Sequence, residues 1–161
     1  MDDFSARLEV QMRRAFFDVL QEKLAANDKR EAVEWLVRLH GELGQRFAAV
    51  LPSKRADIGE RMDNELFAQQ LRAGAYGSEQ LGPLIEYTWA LLRMACAPDM
   101  DAQVQASYRQ VAASLVPGAA FSDVVPLYLK EAHAQLDEII NRIQKMRDDK
   151  VLHEQGGGAA M

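Results

Sequence analysis

Apolar residues recur every three or four positions along most of this chain, which is the spacing of amphipathic helices. The first helix is predicted from such a stripe, and a second helix is predicted after the start signal Asp28 and Glu31. Pro52 ends the second helix because the residue before a proline avoids helical geometry. Two helices joined by so short a turn are expected to form an antiparallel hairpin. The stripe of the first helix contains Phe4, Leu8, Met12, Ala15 or Phe16, Val19 or Leu20, and Leu24.

Four more helices are predicted downstream from capping residues, prolines and glycines. No segment alternates apolar and polar residues with β-branched enrichment, so we exclude a sheet. The predicted fold class is all-α, with about six amphipathic helices in antiparallel hairpins that form a helical bundle or array. The predicted start and end signals are Ser53 and Gly74, Ser78 and Pro98, Asp99 or Asp101 and Pro117, and finally Ser122 for a helix that runs through Met146.

The length of 161 residues is sufficient for one domain with its own core. We predict a single all-helical domain over residues 1–153, which would be either complete or part of a longer family domain. Residues 154–161 are rich in glycine and alanine and carry no apolar stripe, so they are predicted to be a flexible tail.

Composition and charge exclude several classes of protein. No uncharged stretch reaches the roughly 20 apolar residues of a membrane span. Residues 56–139 hold five basic and twelve acidic side chains, a balance that repels phosphate backbones and argues against nucleic acid. The start is acidic rather than basic and apolar, which argues against a secretory signal, and a single cysteine forms no internal disulfide. We therefore expect a cytoplasmic protein.

The residue types that carry catalysis do not converge in the sequence. His40, His133 and His153 lie on three different segments, and no Glu-x-x-His pair is present for a metal site in a bundle. A structural or solvated role is predicted for each histidine. Cys96 would need a histidine base beside it, and it is predicted instead to be the buried end of a helix.

The acidic cluster Asp57, Glu60, Asp63 and Glu65 is predicted to complement a helix dipole and to face solvent rather than to perform acid–base chemistry. We predict no catalytic residue, no cofactor and no metal ion, and expect a protein that is not an enzyme. Partners are expected to be other proteins.

Two amphipathic segments are candidates for binding a partner. Val10, Phe17 and Leu20 widen the apolar surface of the first helix, so this helix either packs on two sides or meets a partner, and ordinary core packing is the favoured interpretation. Residues 141–152 are rich in basic and apolar side chains, and a docking helix and a solvated helix end are equally compatible with them.

The middle of the chain carries a spaced pattern that runs from Leu51 and Pro52 through Gly74 to Cys96-Ala97-Pro98. This pattern resembles the t-complex protein 11 family over about residues 35–140. The Cys96-Ala97-Pro98 tripeptide after an apolar helix is its most specific element. Physically, these positions are predicted to end helices, so they indicate the fold rather than an activity. The other positions of the pattern are Leu51, Pro52, Ile58, Met62, Asp63, Leu66, Gln70, Leu71, Gly74, Leu81, Ile85, Leu92, Met94, Asp101 and Val104.

The resemblance implies an all-helical protein without established catalytic residues, associated with signalling through cyclic AMP and protein kinase A. The leading hypothesis is a cytoplasmic adaptor that binds other proteins. The alternatives are a structural subunit of a cytoskeletal or ciliary assembly, and a small-molecule binder or enzyme with a pocket between helices that uses Cys96 or an acidic residue of the middle segment.

Overall fold

A computed structural model describes residues 3–25, 29–73, 78–116, 119 and 121–159. Over these residues the chain forms seven α-helices and two short 3-10 helices, without a strand, and the predicted all-α class is confirmed. The helices are α1 (Asp3–Ala25), α2 (Lys29–Val50), α3 (Arg55–Arg61), α4 (Asn64–Arg72), α5 (Ser78–Ala95), α6 (Asp101–Ala113) and α7 (Phe121–Ala159), with 3-10 turns at Pro52–Lys54 and Pro98–Met100.

The first two helices form the predicted antiparallel hairpin. Contacts between them run in opposite directions, because later positions on α1 meet earlier positions on α2. The pairs are Arg13 with Glu42 at 3.5 Å, Phe16 stacked on Trp35 with ring centroids 4.0 Å apart, and Lys23 with Glu31 at 2.6 Å. The predicted cap Asp28 lies outside the described residues.

The third predicted helix is wrong as a single helix, because the chain breaks at Met62 and Asp63 into α3 and α4. Asp63 has an extended backbone, and its carboxylate accepts hydrogen bonds from the backbone N–H groups of Glu65 and Leu66 at 3.0 and 3.2 Å. An aspartate that caps a helix in this way starts a new helix rather than continuing the old one. Ser53 lies inside the first 3-10 turn and caps nothing.

The other predicted start signals also differ from the structure. Met100 precedes α6 without a side-chain cap, so neither Asp99 nor Asp101 caps that helix. Asp99 instead accepts a hydrogen bond from Arg142 of α7 at 2.5 Å, and this contact lowers the pKa of the Asp99 carboxyl. Ser122 lies one residue inside α7. Gly74 and Pro117 fall outside the described residues.

The last helix is longer than the sequence indicates. α7 contains 39 residues and reaches Ala159, so residues 154–159 are helical where a glycine and alanine tail was predicted. Starting a helix is the costly step and lengthening it is not, so a long helix can extend through residues that would not form one alone. Residues 160 and 161 lie outside the described part of the chain.

A shared hydrophobic core joins the helices, and α7 packs on α1, α2, α5 and α6. Trp89 of α5 and Tyr128 of α7 lie fully buried with ring centroids 6.1 Å apart. Two of the matching segments end helices as expected: α2 stops at Val50 just before Pro52, and α5 stops at Ala95 before the turn that begins at Pro98.

Candidate functional site

The first helix is apolar on two opposite sides, and the side that carries the candidate partner face packs in the core. Phe17 is 3% and Leu20 is 0% exposed, so these residues are core and form no accessible binding face, as the favoured interpretation expected. Val10 is half-buried. The candidate partner face of Val10, Phe17 and Leu20 is therefore corrected: two of its three members are inaccessible in the folded chain.

The other side of α1 presents an apolar stripe to solvent. Phe4 is 69% and Met12 is 64% exposed, and both belong to the set that the sequence pattern placed in the main stripe. The spacing of four, four, three and four residues keeps these positions on one face of a helix. We call this set the outer stripe; it consists of Phe4, Leu8, Met12, Ala15 and Val19.

A charged network joins α1, α2 and α7, and we call it the helix joint: Arg13, Arg46, His133 and Asp137. Asp137 accepts hydrogen bonds from Arg13 at 2.5 and 2.6 Å and from Arg46 at 2.5 Å. The three side chains are largely buried, so one carboxylate compensates two guanidinium groups away from water. Burial lowers the pKa of Arg46, and the Asp137 carboxylate opposes that shift.

His133 occupies the centre of the helix joint with both ring nitrogens engaged. Nε2 lies 3.0 Å from the carbonyl oxygen of Leu39, which can only accept, so Nε2 carries the proton. Nδ1 is then free to accept from Arg46 at 2.8 Å. Burial lowers the pKa of His133 to about 4, so this ring is neutral near pH 7.

His40 on α2 is also buried and neutral, but one of its nitrogens has no partner. Its ring is 1% exposed and stacks on Phe67 with centroids 3.9 Å apart, nearly parallel. Nδ1 lies 2.9 Å from the amide oxygen of Asn64 and therefore donates. Nε2 is left as a buried acceptor without a hydrogen bond, and burial lowers the pKa of His40 to about 4.

His40 lines a cavity of about 240 Å³ that opens to solvent between α2, α4, α5 and the end of α3. Apolar side chains from three of these elements, Met62, Phe67 and Leu84, form part of its wall. Arg61 and Tyr87 lie at the same cavity, with the guanidinium 5.2 Å from the centre of the tyrosine ring.

Tyr87 is held in place by an acidic residue of α3. Its hydroxyl donates to Asp57 at 2.6 Å, and burial together with this hydrogen bond raises the pKa of the tyrosine. Asp57 and Asp63 thus have structural partners, one a phenol and the other a helix N-terminus. All four acids of the predicted cluster are exposed: Asp57 stands in the first turn of α3, Asp63 caps α4, Glu65 stands in the first turn of α4, and Glu60 lies near the end of α3.

Cys96 does not have the environment of an activated nucleophile. The thiol is half-buried, and burial with the nearby Asp101 carboxylate raises its pKa, which keeps it protonated. The thiol donates to the carbonyl oxygen of Arg93 at 3.7 Å. The described hydrogen bonds of His40 and His133 go to Asn64, Arg46 and Leu39 instead. The helix-end interpretation fits this position, although the side chain is half-buried rather than buried.

The structure brings together residues that the sequence analysis kept apart. Arg13 and Asp137 of the helix joint lie more than 120 positions apart in the chain, so no local spacing in the sequence predicts their contact. His40 continues the helical spacing of the apolar residues Leu36 and Leu43, and this spacing is the one sequence signal that it is buried. Among the described residues there is no cluster of three metal-binding side chains, and none of their helices is long and apolar enough to cross a membrane.

Comparison with known proteins supports the resemblance inferred from the middle of the chain and extends it. The family described as T-complex protein 11 matches residues 2–151, which extends the segment 35–140 at both ends. No curated protein and no solved structure matches the chain. Since the match covers nearly the whole sequence, the chain belongs to the T-complex protein 11 family.

Proposed function

We propose that this chain is a protein-binding helical domain without catalytic activity, and that the outer stripe of α1 docks an amphipathic helix of a partner protein. The observation that carries the proposal is the solvent-facing apolar stripe on a helix whose opposite side already packs in the core. Contiguous exposed apolar surface of this kind is characteristic of interaction sites.

The geometry of the outer stripe suits a helical partner. From Phe4 to Val19 the stripe covers four turns, or about 22 Å along the helix. A partner helix lays anchors at intervals of three and four residues into such a surface. Leu8 and Met12 stand near the middle of the stripe and supply the central contacts.

Charges beside the stripe define the chemistry of the partner. Arg14, Asp18 and Glu22 form a row at intervals of four residues that approaches the stripe toward the end of α1. All three are exposed. A complementary helix carries acidic side chains opposite Arg14 and basic side chains opposite Asp18 and Glu22, and this complementarity sets its direction on α1.

Family membership supplies the cellular setting of the proposal, and the geometry supplies the surface. The t-complex protein 11 resemblance implies signal transduction linked to cyclic AMP and protein kinase A. The proposed role is accordingly a cytoplasmic adaptor that brings a partner helix to this pathway.

The test compares two double variants that carry the same change of charge. Leu8→Glu with Met12→Glu places two carboxylates in the outer stripe, whereas Gln69→Glu with Gln110→Glu places them on exposed positions of α4 and α6. Proteins captured from cytosol by the unaltered chain are identified. Their helical segments are then synthesised, and the affinity of each peptide is measured by fluorescence anisotropy.

We expect the stripe variant to bind such a peptide at least tenfold more weakly, because a charge buried in an apolar contact loses hydration without gaining a partner. The control variant should bind normally, and both should keep the helicity and unfolding midpoint of the unaltered chain. Equal affinity of both variants for every captured peptide would show that the outer stripe is not the docking surface.

A further inference from the structure

The last part of α7 extends beyond the packed body of the protein. Ile139 is a core residue and Ile143 packs against the core, but every side chain from Lys145 to Val151 is exposed. From Lys145 to Ala159 the helix measures about 22 Å. A helix of this length is marginal in water by itself, so contact with another surface would stabilise it. We call residues 145–159 the projecting end.

The exposed side chains of the projecting end are sorted by the helix into two sides. At about 100° per residue, Met146 and Val151 lie on one side with Arg147 and Lys150 between them. This side continues the face on which the earlier part of α7 packs in the core. The acidic residues 148–149 fall outside it. The side is therefore both apolar and basic, and we call it the docking face.

The cavity of about 240 Å³ lies between helices that pack on different neighbours. α4 packs on α2, whereas α5 packs on α6 and α7, so the cavity is the gap between two parts of the body. Its lining includes Met62, Phe67 and Leu84, together with Leu66, which is 51% exposed. A closed cavity of about 150 Å³ accepts benzene, so this one has room for one large apolar side chain.

Acidic side chains surround the mouth of this cavity. Glu65 on α4 and Glu79 and Glu86 on α5 are all exposed, and each directly precedes a residue that lines the cavity. Within the lining, Arg61 and Asp63 carry opposite charges. The three glutamates therefore leave the mouth acidic, and this sign is complementary to the docking face.

The projecting end does not reach the cavity of its own chain. His133 of α7 contacts the carbonyl oxygen of Leu39, which directly precedes His40 in the cavity wall. α7 therefore passes the level of the cavity at His133. Lys145 lies twelve positions later in the same continuous helix, which places it about 18 Å from that level along the axis of α7. A projecting end that occupies the cavity must come from another molecule.

We propose that the projecting end of α7 docks at the cavity of a second copy of this chain. Met146 enters the apolar cavity beside Leu66, and Arg147 and Lys150 lie against the glutamates at its mouth. The contact joins two different surfaces, so it forms a closed ring where the rotation between copies closes and an open chain where it does not. The outer stripe of α1 takes no part, and the inference is independent of the proposed docking of a partner helix there.

Sedimentation equilibrium of the intact chain measures this association. We expect the average mass to rise above that of one copy as the concentration increases. Met146→Glu and Leu66→Glu should each weaken the association at least tenfold, because each places a carboxylate in an apolar contact. Both positions are exposed, so both variants should keep the helicity and the unfolding midpoint of the unaltered chain.

A mixture of the two variants tests whether two different surfaces meet. The Leu66→Glu chain has an intact projecting end and the Met146→Glu chain has an intact cavity, so the mixture should form one-to-one pairs although each variant alone stays monomeric. These pairs should weaken with added salt, because charges of opposite sign meet at the mouth. The control is Val116→Glu, which changes another exposed apolar residue and should associate like the unaltered chain.

Two results would overturn the proposal. One is an unaltered chain that stays monomeric up to millimolar concentration. The other is a Leu66→Glu chain that associates by itself as strongly as the unaltered chain, because the contact would then join two projecting ends or two outer stripes rather than an end and a cavity.

Discussion

His133 and His40 are both buried and neutral, yet their surroundings make them different kinds of residue. In the helix joint, His133 receives a hydrogen bond from Arg46 and gives one to Leu39, so the protein uses both of its nitrogens. Beside the cavity, Nδ1 of His40 donates a hydrogen bond to Asn64, and Nε2 is a buried acceptor without a hydrogen bond. Burial lowers the pKa of each ring to about 4, so pKa alone does not separate the two.

The comparison teaches that two buried histidines with the same lowered pKa differ in how many of their ring nitrogens form hydrogen bonds. The fully engaged ring of His133 joins α7 to α2, whereas His40 keeps one buried acceptor without a hydrogen bond, which costs free energy. The predictions below test this difference, from the largest expected effect to the smallest.

Acidification should destabilise the chain through both histidines. Each has a pKa of about 4 when folded against 6.5 when unfolded, so the unfolded chain binds more protons between these values. The histidine contribution to the free energy of unfolding is therefore fully present above pH 6.5. It falls as the pH drops toward 4, by about 3 kcal/mol for each histidine. Urea unfolding between pH 4 and 7 measures the loss, and His40→Phe or His133→Phe should each remove about half of the histidine contribution.

Asp137→Asn should cost about 4 kcal/mol, because it leaves two largely buried guanidinium groups without a compensating charge. The control is Glu34→Gln, which alters the exposed pair of Glu34 with Arg72 and should cost less than about 1 kcal/mol. Both values come from urea unfolding at pH 7. A loss at Asp137 no greater than that at Glu34 would mean that the helix joint does not hold the fold.

At pH 7, His133→Phe should destabilise the chain more than His40→Phe. The first change removes the hydrogen bond to the Leu39 carbonyl and the acceptor of the largely buried Arg46, at about 3 kcal/mol, whereas the second removes only the bond to the half-exposed Asn64, at about 1 kcal/mol. Both changes keep an aromatic ring, so the difference in unfolding midpoint reports the hydrogen bonds. Equal losses would contradict the distinction between the two histidines.

Two glycines in the middle of α2 sharpen the contrast around His40. At Gly44 a methyl group meets nothing within 4 Å, so Gly44→Ala should stabilise the helix by about 1 kcal/mol. At Gly41 the methyl would lie 2.8 Å from the amide nitrogen of Asn64, which must move away from His40. Gly41→Ala should therefore not stabilise the chain as Gly44→Ala does. Thermal unfolding of the two variants measures the difference in stability.

The sequence pattern located the long helices because their apolar positions repeat over many turns. It did not locate the break at Asp63, since the same aspartate also fits the acidic first part of a continuous helix. Only the backbone N–H groups of Glu65 and Leu66 that turn toward its carboxylate distinguish a cap from a solvated charge.

The sequence alone also did not predict which of the two apolar faces of α1 packs in the core. Phe4, Leu8 and Met12 repeat at helical spacing as regularly as Phe17 and Leu20 do, and periodicity does not say which stripe meets the body of the protein. Arg13 identifies the core-facing side of α1, because its guanidinium donates a hydrogen bond to Asp137 of α7. That pairing is far apart along the chain and follows only from the assembled fold.

The cavity could not be derived from the sequence for the same reason. His40, Arg61, Phe67 and Tyr87 come from four separate helices, and the free lone pair exists only because Asn64 approaches Nδ1. Gly41 permits that approach, yet in the sequence it resembles any other glycine inside a helix.

The length of α7 gives the molecule a preferred axis. Its 39 residues span about 58 Å, whereas a compact chain of this size has a radius of gyration of about 15 Å. Side chains from Lys145 to Val151 are exposed, so this part of the helix lies outside the packed body. Rotation about the α7 axis meets less friction than end-over-end rotation, and amide groups therefore relax at rates that depend on their angle to α7. Nitrogen relaxation rates thus measure the direction of each helix relative to this rod.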